Sequence, residues 1–216
     1  MPEVPPRGQL TALFATPAIF YELDEAAELN RQLQAAILAE QGRQPGMSLS
    51  NRGGWQSRHD FQEWSGEAGD LLVQAAIELA SQYTTTTAPA GLRWVVDCWA
   101  NVSGDGAFNM PHVHGGTYWS CVYYVSVGKG EGGQLVLHDP RMPGLRMHAP
   151  DYRFKNLGSE VTASIKPKPG LMVLFPGWLS HHVEPWHGTG ERISVAMNIR
   201  AVQPALQTEP SAGPAK

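Results

Sequence analysis

Two patterns of apolar residues divide the chain into a helical part and a β-rich part. In residues 24–41 apolar and small side chains recur at helical spacing, and a second such segment begins after Ser65 and ends near Tyr83. Further along, short runs of β-branched and aromatic residues alternate with Gly, Pro, Asn and Asp, which is typical of strands and turns. We therefore predict a single domain, with an N-terminal helical flank over residues 10–90 and a β-core over residues 91–202.

The ends of the two helices are predicted from the residues that flank them. Asp24 suits the N-cap of the first helix, and the Gln-Pro-Gly sequence at 44–46 stops that helix. The threonine run at 84–87 ends the second helix. Four apolar residues are expected to share one side of the second helix: Leu71, Leu72, Ala75 and Leu79. Residues 47–64 are predicted to form a loop, and segment 51–55 to form a lid.

The β-core is predicted to be a closed or sandwiched β-fold with the two helices on one face. Many short strands favour such folds because closure or stacking protects the sheet edges. A first extended segment is expected over residues 10–20. The candidate strands of the core are 92–102, 117–127, 133–138, 161–166, 171–175, 181–186 and 192–201. The Pro-rich N-terminal ten residues are expected to be loose, and residues 203–216 to be a disordered tail.

Composition narrows the class of function. The net charge of −4 and the pI near 6.0 give no basic surface for nucleic acid. No apolar run reaches the length of a membrane span, and the N-terminus has no apolar signal core, so a cytoplasmic protein is expected. Cys98 and Cys121 lie in apolar runs, and we expect them to be reduced, buried packing residues.

Three histidines and one arginine stand in an order typical of a metal site in a β-barrel. On a strand, His112 and His114 would point to the same face, because residues i and i+2 share a face. The pair His181-His182 follows an apolar run and a Pro-Gly turn, and only one of these neighbours is expected to ligate. Imidazole suits iron, zinc, copper and nickel alike. Arg192 lies eleven residues after His181 and is suited to hold an anionic co-substrate beside the metal.

These segments resemble the iron(II)- and 2-oxoglutarate-dependent oxygenase superfamily over roughly residues 92–200, and more closely a small bacterial group of that superfamily. The order of motifs is that of prolyl-hydroxylase-like members. The matching segments are WSCVYYV at 119–125, GGQL at 132–135, KPGLMVLFP at 168–176, HHVEP at 181–185 and RIS at 192–194. The resemblance implies a mainly β fold with flanking α-helices and a double-stranded β-helix, or jelly-roll, core of the cupin-like type.

The resemblance also implies cofactors and residue roles. Iron(II) would be held by His112, His114 and His181, the last chosen over His182 because it occupies the motif position. The co-substrate 2-oxoglutarate would be anchored by Arg192 and by two residues of the resembling motifs, Tyr124 and Ser194. Four apolar residues are available to wall the co-substrate: Leu135, Leu137, Val173 and Val195. The implied reaction is hydroxylation.

One position departs from the superfamily pattern. The usual ligand triad has two histidines and one carboxylate, whereas His114 stands at the carboxylate position here. Asp105 and Asp139 are the candidates for a carboxylate from elsewhere. A neutral third ligand leaves the metal one charge more positive. Two alternatives therefore stay open: a three-His cupin-like dioxygenase that uses no 2-oxoglutarate, and a non-catalytic metal- or ligand-binding β-barrel.

The substrate is not encoded in a recognisable motif, so a small molecule or a peptide is expected without further definition. Five tryptophans are candidates to line a cleft: Trp55, Trp99, Trp119, Trp178 and Trp186. Trp99 and Asn101 lie on the strand expected to border the site and are candidate substrate contacts. An exposed β-edge makes a homodimer possible.

Overall fold

The computed structural model describes residues 14–87, 93–141 and 160–202, and two antiparallel sheets form its centre. The predicted loose N-terminus and the predicted tail 203–216 lie outside the described residues. In chain order the elements are β1 (Ile19–Glu22), α1 (Ala26–Arg43), β2 (Asn51–Arg52), β3 (Trp55–Gln56), α2 (Phe61–Trp64), α3 (Gly66–Gln82), β4 (Arg93–Ser103), β5 (Phe108–His112), β6 (Trp119–Gly132), β7 (Leu135–His138), β8 (Thr162–Ile165), β9 (Leu171–Pro176), β10 (His181–Val183) and β11 (Trp186–Val202).

The larger sheet has the strand order β1-β9-β6-β11-β4-β3, and the smaller sheet has the order β2-β5-β10-β7-β8. One core cluster joins α1 and α3 to the outer face of the larger sheet, through residues such as Leu33, Leu72 and Val195. A second cluster fills the space between the two sheets, with Tyr124 and Val173 from one sheet and Leu135 and Leu137 from the other. The predicted mainly β class with helices on one face is therefore confirmed.

Alternation along β11 decides which of its side chains face the helices and which face the other sheet. Ile193, Val195 and Met197 belong to the cluster under the helices. The residues that alternate with them, such as Arg192 and Ser194, point into the space between the sheets. Because β11 pairs with both β4 and β6 along most of its length, this polar row is held at the centre of the larger sheet.

The helices differ from the prediction at two points. The N-cap position of α1 is Glu25 rather than Asp24, and Glu25 has a φ of 52°, in the left-handed region. The Leu23 N–H donates to the Gly170 carbonyl, so the chain must turn sharply before α1 can begin. On α3, Leu71 is 64% exposed, because the buried stripe runs through Leu72, Val73, Ala76, Leu79 and Ala80 and leaves Leu71 on the other side.

The predicted loop over residues 47–64 is wrong, since it contains β2, β3 and the short helix α2. Strand β2 pairs with β5 in the smaller sheet, and β3 pairs with β4 in the larger sheet. The Asn51 side chain donates to the carbonyls of Met47 and Gly54, which fixes the turn between them. Segment 51–55 therefore links the two sheets, and its role as a lid stays a prediction.

The strands of the core were predicted with shifted ends, and β5 was missed in addition to β2 and β3. Strand β11 begins at Trp186, the predicted strand over 181–186 ends at Val183, and β6 continues to Gly132. The first extended segment is a strand only from Ile19 to Glu22. Strand β5 was not predicted, because its sequence Phe-Asn-Met-Pro-His has no β-branched residue.

Two expectations from composition can be compared with the structure. Cys98 and Cys121 are both free and buried, as expected for packing residues. Neither α1 nor α3, the two long helices of the described segments, has the length and the apolar sequence of a membrane-crossing helix.

Candidate metal and co-substrate site

Three histidine rings converge between the two sheets. His112 is the last residue of β5 and His181 the first of β10, and these two residues are register partners. One ring nitrogen of each of His112, His114 and His181 lies within 4.8 Å of the other two, and the Nε2 atoms of His114 and His181 are 3.3 Å apart. Such spacing is short enough for one ion, because bonds from zinc or a similar metal to a histidine nitrogen are about 2.0–2.1 Å long.

His114 reaches this cluster by a route that the sequence did not predict. It lies beyond the end of β5, so the alternation argument for His112 and His114 on one strand is wrong. The His114 N–H donates instead to the Gly177 carbonyl at 2.9 Å. Its ring stacks on Trp99, with the ring centres 5.8 Å apart, and the far side of Trp99 stacks on His59 at 4.5 Å.

Hydrogen bonds to carbonyls fix the tautomers of two of the rings. His112 Nδ1 lies 2.7 Å from the Met110 oxygen, and His181 Nδ1 lies 2.8 Å from the Leu179 oxygen. A carbonyl oxygen only accepts, so each Nδ1 carries the proton and each Nε2 keeps its lone pair. This is the arrangement that orients metal-ligating histidines. His114 Nδ1 has no partner among the described residues, and the ring is held by stacking instead.

The environment keeps all three imidazoles neutral. Burial lowers the pKa of His181 to about 3, with the nearby His112 adding to the effect. Burial also lowers the pKa of His114 to about 4, again helped by His112, and it lowers the pKa of His112. A neutral imidazole is the form that binds a metal, so the site is ready for one at neutral pH.

These lowered pKa values predict that the metal-free protein loses stability in mild acid. The unfolded chain takes up protons on these histidines near pH 6.5, whereas the folded chain resists until about pH 4 or 3. The unfolded state therefore binds more protons in this window, and stability falls as the pH falls through it. Urea unfolding of chelator-treated protein from neutral pH to about pH 4 measures the effect. A double variant, His114→Gln with His181→Gln, should show a shallower dependence, and an equal dependence in both proteins would contradict the prediction.

A buried arginine lies in the same space between the sheets. Arg192 is 2% exposed, and burial lowers the pKa of its guanidinium. Its Nη1 donates to Ser194 Oγ at 3.4 Å, its Cζ lies 5.1 Å from the centre of the Tyr124 ring, and its Nε has no hydrogen-bond partner among the described residues. No described carboxylate pairs with it. A buried charge without a counterion is costly, which indicates a place for an anionic ligand.

Tyr124 completes this anion pocket. The side chain is fully buried, and its hydroxyl lies beside the Arg192 guanidinium but forms no hydrogen bond of standard geometry with a described residue. Burial raises the pKa of the phenol, although the positive charge of Arg192 opposes part of this effect, so the hydroxyl keeps its proton and can donate. Tyr124 and Ser194 are register partners on β6 and β11, which explains why residues seventy positions apart both contact Arg192.

The Gly-Gly sequence after β6 makes room for Arg192. A Cβ atom on Gly133 would lie 2.8 Å from Arg192 Cδ, and Gly133 has a φ of +62°. Any other residue would therefore displace the arginine stem and strain the backbone. The glycines of the motif at 132–135 therefore leave the space that the Arg192 side chain occupies in the core.

The histidines and Arg192 line one cavity, whose empty space is about 520 Å³ including its open mouth. Leu135 walls it as predicted, and Trp99 and Asn101 also line it. Leu137 and Val173 belong to the neighbouring apolar cluster, whereas Val195 faces the helices and was wrongly assigned to the wall. Of the five tryptophans considered, only Trp99 lines this cavity. Ser120 was missed, although it lies four residues before Tyr124 on the same face of β6.

No acidic side chain joins the histidine cluster in the described part of the chain. Asp139 pairs with Arg141, and Asp105 accepts a hydrogen bond from the Gly188 N–H. Neither of these candidate carboxylates is part of the group. His182 faces away from the cluster, and its Nδ1 lies 2.8 Å from Nε2 of His138.

The family match by sequence and the matches to solved structures indicate the same class of protein. A family model described as "Putative 2OG-Fe(II) oxygenase" matches residues 97–198, which include all three histidines and Arg192. No sequence among the curated proteins matches this chain.

Solved structures share the fold at low sequence identity. A prolyl hydroxylase from Trichoplax adhaerens, in complex with a hypoxia inducible factor peptide, is 16% identical, with 85% of this chain and 83% of that chain covered and a TM-score of 0.61. A Pseudomonas putida prolyl-4-hydroxylase is 22% identical over 86% and 92%, with a TM-score of 0.62. HygX from Streptomyces hygroscopicus, with nickel, 2-oxoglutarate and hygromycin B bound, is 14% identical over 86% and 83%, with a TM-score of 0.56.

The predicted double-stranded β-helix core is thus confirmed as the shared fold. The three-histidine cluster also fits an iron ion. Over residues 97–198 the chain is thus similar to the iron(II)- and 2-oxoglutarate-dependent oxygenases, and it shares the fold of the solved prolyl hydroxylases.

Proposed function

We propose that this oxygenase hydroxylates its substrate at an iron(II) held by three histidines, with 2-oxoglutarate anchored by Arg192. The observation that carries the proposal is the buried Arg192, which has no described carboxylate partner and shares one cavity with the three imidazoles. A metal site and an anion site in a single cavity are what a keto-acid co-substrate requires, since it binds by both of its ends.

In this proposal His112, His114 and His181 are the metal ligands. His112 and His181 present Nε2, because their Nδ1 protons are held by the carbonyls of Met110 and Leu179. His114 is held by its stack on Trp99. Rigid rings cost little entropy when they bind, which favours a tight site.

Arg192, Tyr124 and Ser194 are proposed to hold the far carboxylate of 2-oxoglutarate. The guanidinium is planar and can donate two parallel hydrogen bonds to a carboxylate. The Tyr124 hydroxyl adds a donor without adding charge, and Ser194 orients the guanidinium. The atoms that lack partners, Tyr124 OH and Arg192 Nε, are the donors that such a carboxylate would satisfy.

When bound, iron(II) and 2-oxoglutarate supply the oxidising power: dioxygen is consumed, 2-oxoglutarate becomes succinate and carbon dioxide, and the substrate gains a hydroxyl group. The chain's own residues position both and limit water. Leu135 and Phe175 line one part of the cavity and are themselves buried, so they shield that part from water.

The proposal also covers the substrate class, the cellular location and the oligomeric state of the enzyme. A small molecule or a peptide is the inferred substrate class, since one neighbour holds a peptide and another holds hygromycin B. The two free buried cysteines favour a cytoplasmic location. An exposed sheet edge would allow a homodimer.

A second candidate function is a three-His dioxygenase that uses no 2-oxoglutarate. The absence of a carboxylate from the described histidine cluster favours it. In that function Arg192 would hold no co-substrate, so the two candidate functions predict opposite effects of replacing Arg192 on turnover.

We expect purified protein to bind iron(II) at one equivalent and to convert 2-oxoglutarate slowly to succinate without added substrate. Metal analysis and succinate quantification under air measure both quantities, with chelator-treated protein as the control. Iron binding without succinate would favour the second candidate. Failure to bind iron would leave a non-catalytic ligand-binding barrel.

A further inference from the structure

Three buried polar atoms without partners lie together beyond the histidine cluster. They are Ser120 Oγ, Asn198 Oδ1 and Arg200 Nε, none of which has a hydrogen-bond partner among the described residues. Ser120 and Asn198 are register partners, and Arg200 lies two residues further along the same face of β11. Ser120 is only 3% exposed and lines the histidine cavity. Buried polar groups are rarely left unpaired, so this cluster indicates a polar ligand.

Arg200 uses only part of its guanidinium. Its contacts with Asp97, at 3.2 Å to Oδ1 and 3.0 Å to Oδ2, both go through Nη2. The Nε edge stays without a partner. The side chains of Arg200 and Asp97 are 42% and 39% exposed, so this end of the cluster faces solvent. Arg200 Nε and the Ser120 hydroxyl can both donate, which suits a carboxylate or a similar anion, whereas Asn198 Oδ1 accepts and suits an O–H or N–H group of the same ligand.

The cluster lies on the opposite side of the histidines from Arg192. Trp99 stacks on His114 and is the register partner of Ala196, so Ala196 marks the level of the metal ligands on β11. Arg192 lies four residues before Ala196 and Arg200 four residues after it. Four residues span about 13 Å of strand. A ligand held at Arg200 therefore reaches the metal ligands with a part on the order of 10 Å from its acidic group.

Electrostatics favour an anion in this place. The lining of the cavity in the described part of the chain contains no aspartate or glutamate. With three neutral ligands, the two charges of iron(II) and the single charge of Arg192 exceed the two negative charges of 2-oxoglutarate by one. A carboxylate at the position of His114 would have cancelled that excess. The loaded site therefore attracts a negative group.

We propose that the substrate is an organic acid whose anionic group is bound by Arg200 and Ser120, with its reacting carbon on the order of 10 Å away beside the three histidines. The placement of the reacting carbon rests on the proposed function. The anion site rests on the partnerless atoms alone, so the two can fail separately.

The test compares octanoate with octanamide, which have the same chain length but differ in charge. Calorimetry under anaerobic conditions measures their binding to protein loaded with iron(II) and 2-oxoglutarate. We expect octanoate to bind at least tenfold more tightly than octanamide. In Arg200→Met the ratio should fall by about tenfold, the usual scale of one charge-assisted hydrogen bond. In Asp97→Asn the ratio should rise, because the competing carboxylate is gone.

The variants Arg200→Met and Asp97→Asn distinguish ligand binding by Arg200 from a purely structural role of this residue. If Arg200 only stabilises the sheet through Asp97, both variants lower the melting temperature and neither changes the ratio, which would overturn the proposal. A ratio near one in the wild-type protein would also overturn it. If iron and 2-oxoglutarate do not bind, the proposed function fails, and the difference in this ratio between metal-free wild-type protein and metal-free Arg200→Met still decides whether Arg200 binds an anion.

Discussion

Replacing His181 by alanine is expected to abolish iron binding and, with it, succinate formation. His181 is 5% exposed, begins β10 and pairs in register with His112, so it is the best-fixed of the three proposed ligands. Changing a residue that merely orients a metal ligand typically costs about 10–100-fold in metal affinity. Losing a ligand itself should cost on the order of 100-fold or more. Competition with a coloured chelator measures the iron affinity.

His182→Ala is the matched control for this experiment. His182 is the next residue on the same strand, but it contacts His138 on the outer side and not the cluster. The iron affinity of this variant should stay within about threefold of the wild type, because surface changes away from a site act weakly. Equal losses in the two variants would show that β10 is simply disrupted, and a retained affinity in His181→Ala would remove His181 from the site.

Replacing Arg192 by methionine is expected to separate iron binding from the use of 2-oxoglutarate. The variant should bind iron normally, whereas its KM for 2-oxoglutarate should rise by on the order of a hundredfold, because removing one partner of a buried charge pair costs about 2–5 kcal/mol. Succinate formation at varied 2-oxoglutarate concentration measures this change. Arg192→Lys should restore little, since an ammonium cannot form two parallel hydrogen bonds.

The thermal stability of Arg192→Met tests whether the rise in KM comes from the loss of the buried guanidinium. In the wild type the guanidinium is buried without a described carboxylate, which destabilises the ligand-free fold. Arg192→Met should therefore melt no earlier than the wild type, and added 2-oxoglutarate should no longer raise its Tm. Arg93→Met removes an exposed arginine at the edge of the same sheet and should change neither quantity. If turnover of 2-oxoglutarate survives in Arg192→Met, the anchoring role is wrong.

The helices and strands show which elements the local spacing of apolar residues predicts and which it does not. The spacing of apolar residues located α1 and α3 because both bury one stripe against the larger sheet. It placed Leu71 on the wrong side, since a cluster of adjacent leucines does not reveal which one faces the sheet. It missed β5 altogether, because the strand character of residues 108–112 comes from pairing with β2 and β10 and not from its own side chains.

The sequence by itself determined which residues are brought to the site and in what order: His112, His114, Tyr124, His181 and Arg192 stand at motif positions, and strand alternation puts Tyr124, Arg192 and Ser194 on faces that can meet. Only the tertiary structure decided how they meet. Pairing of β5 with β10 joins His112 to His181, pairing of β6 with β11 joins Tyr124 to Ser194, and a turn tied to Gly177 brings in His114. These contacts link residues far apart in the chain. The local sequence of a strand does not specify which other strand it pairs with.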